Sequence, residues 1–549
     1  MPEQGSHSDK LVRHFRQILL WPLRLMPIRA GSQIQRHWEL LGQSGEDIWQ
    51  EVVDEFTGDP AQFQERHYNE FVTFLPYVQR FLYGESRGAR SGDERSASLM
   101  RVFRRSDVAG VRLTPSREEK PLTFRVAHVD LYFFFDIDIV LLNVEIYADD
   151  LPLHQVQDTL YRFGRAYPAG WDEHGQGLHC MHRVEWLGVD GNVLAVSDYE
   201  KREKYLSFVC RHRAPHIAAH WEFLLKPLVL DQSEDKGAIR YRQIEYYRLP
   251  VMGYLALDNP RALTRTDFVR LGLITAPGAD ESLPYSDRHV ADFEESYCYD
   301  RYWSDAADGP NTRFLACGHA LIVVGDAGSK SFVSRETGVL SQFRHQHFLL
   351  FLIAHFHKAA LLMFSDRLVD ALNRLDIHDA ESVKHFKRVI RENFEIFLRF
   401  THRYWFHEVS DHAQSKALFR LCSRHLGSDA LYQEVKQEIS DMSHYLDSDS
   451  LRRQANTVIR LTVVTTFGLI GTVTTGFLGM NLIAAADQPP LEKLLYFLIC
   501  LIPITWLTFY SVVKSKRLSE FLDALSDERL PLKAKGAALL NVWRSQRKA

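Results

Sequence analysis

Two apolar runs near the C-terminal end stand out from an otherwise mixed pattern of polar and hydrophobic positions. The first covers Val458 to Met480, a short mixed segment follows from Asn481 to Lys493, and the second covers Leu494 to Val513. A helix of about 20 apolar residues, each rising 1.5 Å, covers the roughly 30 Å hydrocarbon core of a bilayer. The pattern predicts a membrane hairpin: a first span over 458–480, an outer loop over 481–493, a second span over 494–513 and a basic tail over 514–549. Upstream, Leu431, Val435, Ile439, Met442 and Leu446 recur at steps of 4, 4, 3 and 4, one apolar seam at helical spacing. No proline occurs between Ser428 and Asn481. A stalk helix over 428–457 is therefore expected to continue unbroken into the first span, about 75 Å in all. Such a seam needs partners, so a bundle or an oligomer is expected.

The remaining pattern predicts an α+β cytoplasmic part in three pieces. Residues 1–121 read as an N-terminal segment. Within it, residues 10 to 29 interleave Lys10, Arg13, Arg16, Arg24 and Arg29 with Phe15, Trp21 and aliphatics. This is a basic amphipathic start, suited either to an anionic membrane surface or to an ordinary surface helix broken at Pro22. Glycine, serine and charge near 83–98 read as a mobile linker. From Leu122, β-branched and aromatic runs (Val129 to Phe135, Ile137 to Leu142, Val144 to Tyr147) read as strands, opening an α/β domain over 122–340. Residues 341–427 read as helical. There His347 to Phe364 is apolar enough to raise the question of a third span. His355, His357 and Lys358 are costly in hydrocarbon, so a buried helix of a water-soluble part is expected. Val383, Phe386, Ile390, Phe394, Phe397 and Phe400 form a further core-facing stripe.

Composition narrows the class. The 549 residues carry a formal net charge of -4 and 25% charged residues, with a mean hydropathy of -0.23. That balance gives no reason to expect nucleic acid as a partner. Six scattered cysteines show no disulfide framework. No cleavable signal peptide is recognised around Ile18 to Leu25, which Pro22 and Arg24 interrupt. Arg452, Arg453 and Arg460 lie before or within the first span, and Lys514, Lys516 and Arg517 follow the second. Positive charge marks the cytoplasmic side, so both termini are expected there.

The first span offers a cation particular chemistry. Val458, Leu461, Thr465, Leu469, Thr472 and Gly476 share one face, on which apolar constrictions alternate with neutral oxygen ligands and no carboxylate occurs. Permeation needs sites that bind and also release. Small and Thr-rich faces also pack helices in lipid; what sets this span apart is the amide of Asn481 at its end. Mg²⁺ dehydrates reluctantly, and a ring of amide and carbonyl oxygens holds it with its waters in place.

Gly479-Met480-Asn481 at the end of the first of two C-terminal spans, with Lys514 to Arg517 after the second, resembles the CorA-type magnesium transporters. In that family the triplet is the signature of a homopentamer, whose cytoplasmic α/β domain feeds a stalk helix that becomes the pore-lining span. The resemblance is specific over Ser428 to Arg517 and architectural before it. It implies that Gly479, Met480 and Asn481 select the ion, Thr472 forms a second pore site, and Leu469 and Leu461 are hydrophobic constrictions. Asp487 and Glu492 would make a cation-attracting outer mouth. It also implies closure by cytoplasmic Mg²⁺ bridging carboxylates between subunits, for which Glu434, Glu438, Asp441, Asp447 and Asp449 are candidates. Leu478 stands where the family has an aromatic, Ile470 where it has a proline, and the cytoplasmic part is larger than usual.

These readings make the chain a divalent cation channel for Mg²⁺ uptake, not an enzyme, with no organic cofactor. A bacterial inner membrane is expected; the arginine-rich start keeps a mitochondrial inner membrane open. Two alternatives stand beside it: a relative that prefers Zn²⁺, Co²⁺ or Ni²⁺, and a membrane-anchored regulatory or scaffold protein with a silent pore. Among 25 histidines, neither Cys210, His212, His216 and His220 nor His174, His179, Cys180 and His182 matches a zinc spacing. Asp130, Asp136 and Asp138 read as alternation on a sheet edge. No Walker-type loop or Gly-x-Ser-x-Gly nucleophile motif occurs.

Overall fold

The segment that opens the chain is the centre of a sheet, not an amphipathic helix. In the computed structural model, β1 (Leu11–Leu25) is an extended strand buried over most of its length. The structure describes residues 10–28, 35–41, 48–52, 65–84 and 99–479 except 246, 277, 279–281 and 377–378, and scattered positions between 489 and 510. The chain divides into two compact units, Met1–Ile439 and Ser440–Ala549.

The first unit is a mixed α+β structure around a 14-stranded sheet. After β1 come β2 (Trp49–Glu51), β3 (Met100–Arg105), β4 (Val108–Thr114), β5 (Leu122–Phe134), β6 (Ile137–Pro152) and β7 (Arg183–Gly188). Then follow β8 (Val193–Val196), β9 (Leu228–Leu230), β10 (Ile239–Gln243), β11 (Val251–Leu257), β12 (Cys298–Tyr299), β13 (Arg313–Ala316) and β14 (Ala320–Asp326). The main order is β12-β13-β14-β11-β1-β6-β5-β4-β7-β8; β10 joins β1 to β9, and β3 joins β5 to β2. Most pairs are antiparallel, while β11–β14 and β9–β10 are parallel. The expected boundary at residue 122 therefore falls inside the sheet, since β1, β3 and β4 are all hydrogen-bonded into it. The expected linker near 83–98 lies almost wholly outside the described residues.

Four of the five basic residues that suggested an anionic surface are met by carboxylates of this chain, and Arg29 lies outside the described residues. Lys10 reaches Asp267 at 2.6 Å, Arg13 reaches Asp258 at 2.7 Å and Asp150 at 2.9 Å, and Arg16 reaches Glu145 at 2.7 Å. Arg24 pairs with Asp366. Pro22, a strand breaker in most central positions, sits where β1 changes partner: β11 pairs as far as Leu19, and β10 begins at Leu23. The N–H of Leu20 donates to Pro250 O on that same side. Alternation along a strand points the position of Pro22's missing N–H into the gap.

Helices 348–373, 380–403 and 413–426 follow the sheet. The first, Phe348–Asn373, belongs to an apolar stretch with a mean hydropathy of 1.7, of which 83% is buried inside the protein. His355 and His357 are fully buried within it. Burial pulls both imidazoles down to about 3 and that of His347 to about 4, so all three are neutral. In the helix Ala380–Arg403, Phe386, Ile390, Phe397 and Phe400 are buried, whereas Val383 and Phe394 are half-buried. Asp130, Asp136 and Asp138 are not on a sheet edge. All three are buried, and each meets arginine: Arg104 chelates Asp130 at 2.8 and 3.1 Å, Arg403 reaches Asp136 at 3.0 Å, and Arg367 pairs with Asp138.

The neutral histidines make stability depend on pH with a definite sign. Each has a folded-state pKa below its unfolded value near 6.5, so protons favour the unfolded chain; stability is full above pH 6.5 and falls toward pH 3–4. Denaturant unfolding of the first unit's transition is expected to weaken steadily on acidification from pH 6.5. His355→Phe should flatten that slope, and a slope identical to that of the native chain would show that His355 does not titrate on unfolding.

Candidate functional site

The helix Ser428–Gly479 runs for 52 residues without a break and carries most of the positions singled out in the sequence. Its first turns lie in the first unit, where Tyr432, Val435 and Ile439 are buried. The Tyr432 ring stacks on Trp405 with centroids 4.5 Å apart and on Phe397 at 5.8 Å. Leu431 and Met442 are only half-buried, so the buried stripe is shifted toward Tyr432. The side chain of Leu446 lies outside the described residues.

Glu434, Glu438 and Asp441 follow at steps of four and three and so share one face. Glu434 and Asp441 are exposed and Glu438 is half-buried. Among the described residues no three His, Cys, Asp or Glu gather in a way that could hold a metal ion. Glu434, Glu438 and Asp441 thus do not gather as a metal site among the described residues. The side chains of Asp447 and Asp449 lie outside the described residues.

Further along, the helix is markedly two-sided. At about 100° per residue, Val458, Leu461, Thr465, Leu469, Thr472 and Gly476 fall within roughly 80° of one another. This stripe is open: Val458 is 62% exposed, Leu461 65% and Leu469 66%, and Thr465, Thr472 and Gly476 are exposed too. A Cβ added at Gly476 would meet nothing within 4 Å. On the other side, Val463 is buried, and Ile459, Phe467 and Gly471 are half-buried.

The threonine hydroxyls donate back along the helix: Thr465 to Leu461 O at 3.0 Å, Thr472 to Gly468 O at 2.9 Å and Thr475 to Gly471 O at 3.0 Å. That uses the hydroxyl proton in a way that needs no water. The oxygen lone pairs of Thr465 and Thr472 remain on the open stripe as neutral acceptors. The stripe therefore carries two hydroxyl oxygens, that of Thr465 between Leu461 and Leu469 and that of Thr472 between Leu469 and Gly476, with no formal charge.

Gly479 is the last residue of the helix. Met480, Asn481 and Asp487 lie outside the described residues. Glu492 is exposed, and its backbone N–H donates to Pro489 O at 3.0 Å. The histidine groups do not converge on a metal. His216 faces Asp198 and Glu222 at 3.8 and 3.6 Å, His182 meets Glu200 at 2.9 Å, and His220 packs on Tyr199. His174 and His179 are exposed whereas Cys180 is buried. One grouping carried no signal in the sequence: Arg165 and Arg248, far apart in the chain, face each other across an isolated antiparallel bridge.

Two-sidedness of the helix gives a labelling prediction. With Cys210 and Cys500 replaced by serine, Thr472→Cys should react with a hydrophilic thiol reagent roughly tenfold faster than Val463→Cys, since thiol reactivity follows access. Equal rates would mean that the stripe is not the open side. Comparison with family models, with curated proteins and with solved structures finds no match to this chain.

Proposed function

We propose that the chain is a CorA-like divalent cation channel that carries Mg²⁺ across a membrane, as a homopentamer with its ion pathway along the stripe from Val458 to Gly476. One observation carries the reading: a single unbroken helix bears an uncharged stripe of alternating aliphatic and threonine positions and ends at Gly479, the first residue of Gly479-Met480-Asn481. Copies of one helix arranged about an axis turn each stripe position into a ring. Thr465 and Thr472 then supply oxygen rings, and Leu461 and Leu469 constrictions between water-filled segments.

Neutral ligands suit the ion. A carboxylate in the pathway would hold a divalent cation too tightly to release it, whereas amide, hydroxyl and carbonyl oxygens hold a hydrated Mg²⁺ weakly. Asn481 and the Gly479 carbonyl would select at the outer end, with Asp487 and Glu492 drawing cations toward it. A doubly charged ion entering an inside-negative compartment gains about 4.6 kcal/mol per 100 mV, twice the single-charge value. No energy source beyond the potential is required. Gating by cytoplasmic Mg²⁺ would use Glu434, Glu438, Asp441, Asp447 and Asp449 between neighbouring copies.

Proteoliposomes loaded with an Mg²⁺ indicator test the pathway. Under an inside-negative potential the native chain should take up Mg²⁺ in a saturable manner, and Asn481→Ala should lose uptake or selectivity. Competition by Co²⁺, Ni²⁺ and Zn²⁺ ranks the ions. A folded, oligomeric native chain that passes none of them is a membrane-anchored regulator or scaffold instead. Gating is tested separately. Mg²⁺ should protect the native chain from limited proteolysis, and replacing the five acids by alanine should raise the Mg²⁺ needed several-fold; unaltered protection removes them from the sensor.

A further inference from the structure

Arg165 and Arg248 are two cations in the large unit that no carboxylate among the described residues is seen to pair with. The backbone fixes them opposite each other. Ala166 N–H donates to Tyr247 O at 2.6 Å and Leu249 N–H to Gly164 O at 2.9 Å, closing an isolated bridge in which Arg165 and Arg248 are the paired residues. Gly164 makes the turn into it with φ +94°, and a Cβ there would stand 2.8 Å from Leu19. The position therefore needs glycine.

The side chains converge as well. The Arg165 guanidinium lies 5.0 Å from the centre of the Tyr161 ring and 5.0 Å from that of Tyr247, and the Arg248 guanidinium lies 5.9 Å from the same Tyr161 ring. Arg165 is only 2% exposed. Its hydrogen bonds go to Tyr161 O at 3.1 and 2.8 Å, and Arg248 donates to Ile274 O; every named partner is a carbonyl. The ionisable groups described beside them add no negative charge. Burial keeps the thiols of Cys180 and Cys317 protonated, both pushed up to about 12. Burial and the nearby cations hold His319 neutral. Burial, then the proximity of Arg165, pulls Arg248 down to about 10. Arg162, close by, is already paired with Asp158 at 2.6 Å.

Burying a charge without a counter-charge is costly, and ring faces and carbonyls offset only part of that. The place is also reachable: Arg248, Tyr161, Tyr247, Tyr285 and His319 are half-buried and His179, in contact with the Tyr161 hydroxyl, is exposed. We infer that Arg165 and Arg248 form a binding site for a phosphoryl oxyanion carried by a small soluble molecule, with Tyr161 and Tyr247 as its walls. Two guanidinium groups match the charge of a phosphoryl group, which accepts hydrogen bonds from the N–H donors that the carbonyls of Tyr161 and Ile274 leave over. Carboxylates match one fork but leave the second cation unbalanced. The site lies wholly within the first unit, so the inference does not depend on ion transport.

The test uses the purified full chain in detergent, in chloride buffer with EDTA, so that neither a membrane nor free Mg²⁺ enters. Inorganic phosphate, pyrophosphate and ATP are titrated separately by calorimetry, with thermal unfolding followed in parallel. At least one of the three should bind saturably and raise the unfolding temperature; tight binding of ATP or pyrophosphate but not phosphate identifies a larger phosphorylated molecule as the source. Arg248→Gln should weaken that binding at least tenfold, the scale of a lost charge-assisted pair, while the unliganded protein unfolds no earlier than the native one. Arg248→Lys, which keeps the charge and loses the fork, should fall between. The proposal is overturned if the native chain binds none of the three saturably, or if Arg248→Gln binds as tightly as the native chain. In that event Tyr161, Tyr247 and the carbonyls of Tyr161 and Ile274 suffice for the two cations.

Discussion

Everything in the large unit is keyed to the pairing of β1 on both of its edges. From Leu11 to Arg24 it pairs with β6, and its other edge pairs first with β11 and then with β10. Removing it would leave two half-sheets with open edges, β6-β5-β4-β7-β8 on one side and β11-β14-β13-β12 on the other. One buried group reinforces the seam. Glu145 on β6 accepts from Arg16 on β1 at 2.7 Å and from Arg344, in the turn that leads into helix 348–373, at 2.9 Å. Burial alone would raise this carboxyl; Arg344 and Arg16, with His128, bring it below the ordinary value. A carboxylate held between two arginines from different layers fixes register and layer together. Were Glu145 lost, Arg16 and Arg344 would both be left without this counter-charge, the costly case for such networks.

What the sequence made legible follows from what sets each pattern. The strand runs between Val129 and Tyr147 are visible because both faces are buried, which gives continuous β-branched and aromatic runs; β5 and β6 contain them. The uninterrupted helix from Ser428 is visible because the absence of proline is a local property. Leu11–Leu25 was misread for the opposite reason. Its charges satisfy partners far away in sequence, and a bulge between Val12 and His14 breaks the alternation, so the segment shows neither strand period nor clear helical period. The same non-locality hides the arginine partners of Asp130, Asp136 and Asp138 and the meeting of Arg165 with Arg248. The apolar helix 348–373 illustrates a limit of hydropathy. Hydropathy alone passes it as a span; His355, His357 and Lys358 argue against that in the sequence, and its burial agrees with them.

The open stripe on the long helix poses the remaining physical problem, because it cannot be content in water. Leaving Val458, Leu461 and Leu469 exposed costs about 1.5–3 kcal/mol each relative to burial, and nothing within the described part of the chain covers them. Lipid alone would cover any apolar face, and the small and hydroxylated positions Thr462, Thr466, Gly471 and Thr475 off the stripe suit close helix packing there. In the proposed arrangement, identical helices about a common axis would cover the stripe itself, with small residues allowing close approach, the hydroxyl oxygens of Thr465 and Thr472 toward the centre and the aliphatic positions narrowing it. The threonine protons are already spent on carbonyls one turn back, so what Thr465 and Thr472 present on the stripe is acceptor only. An acceptor-only, uncharged ring repels anions weakly, binds cations weakly and releases them, which is the balance a conducting pathway for a strongly hydrated divalent ion has to strike.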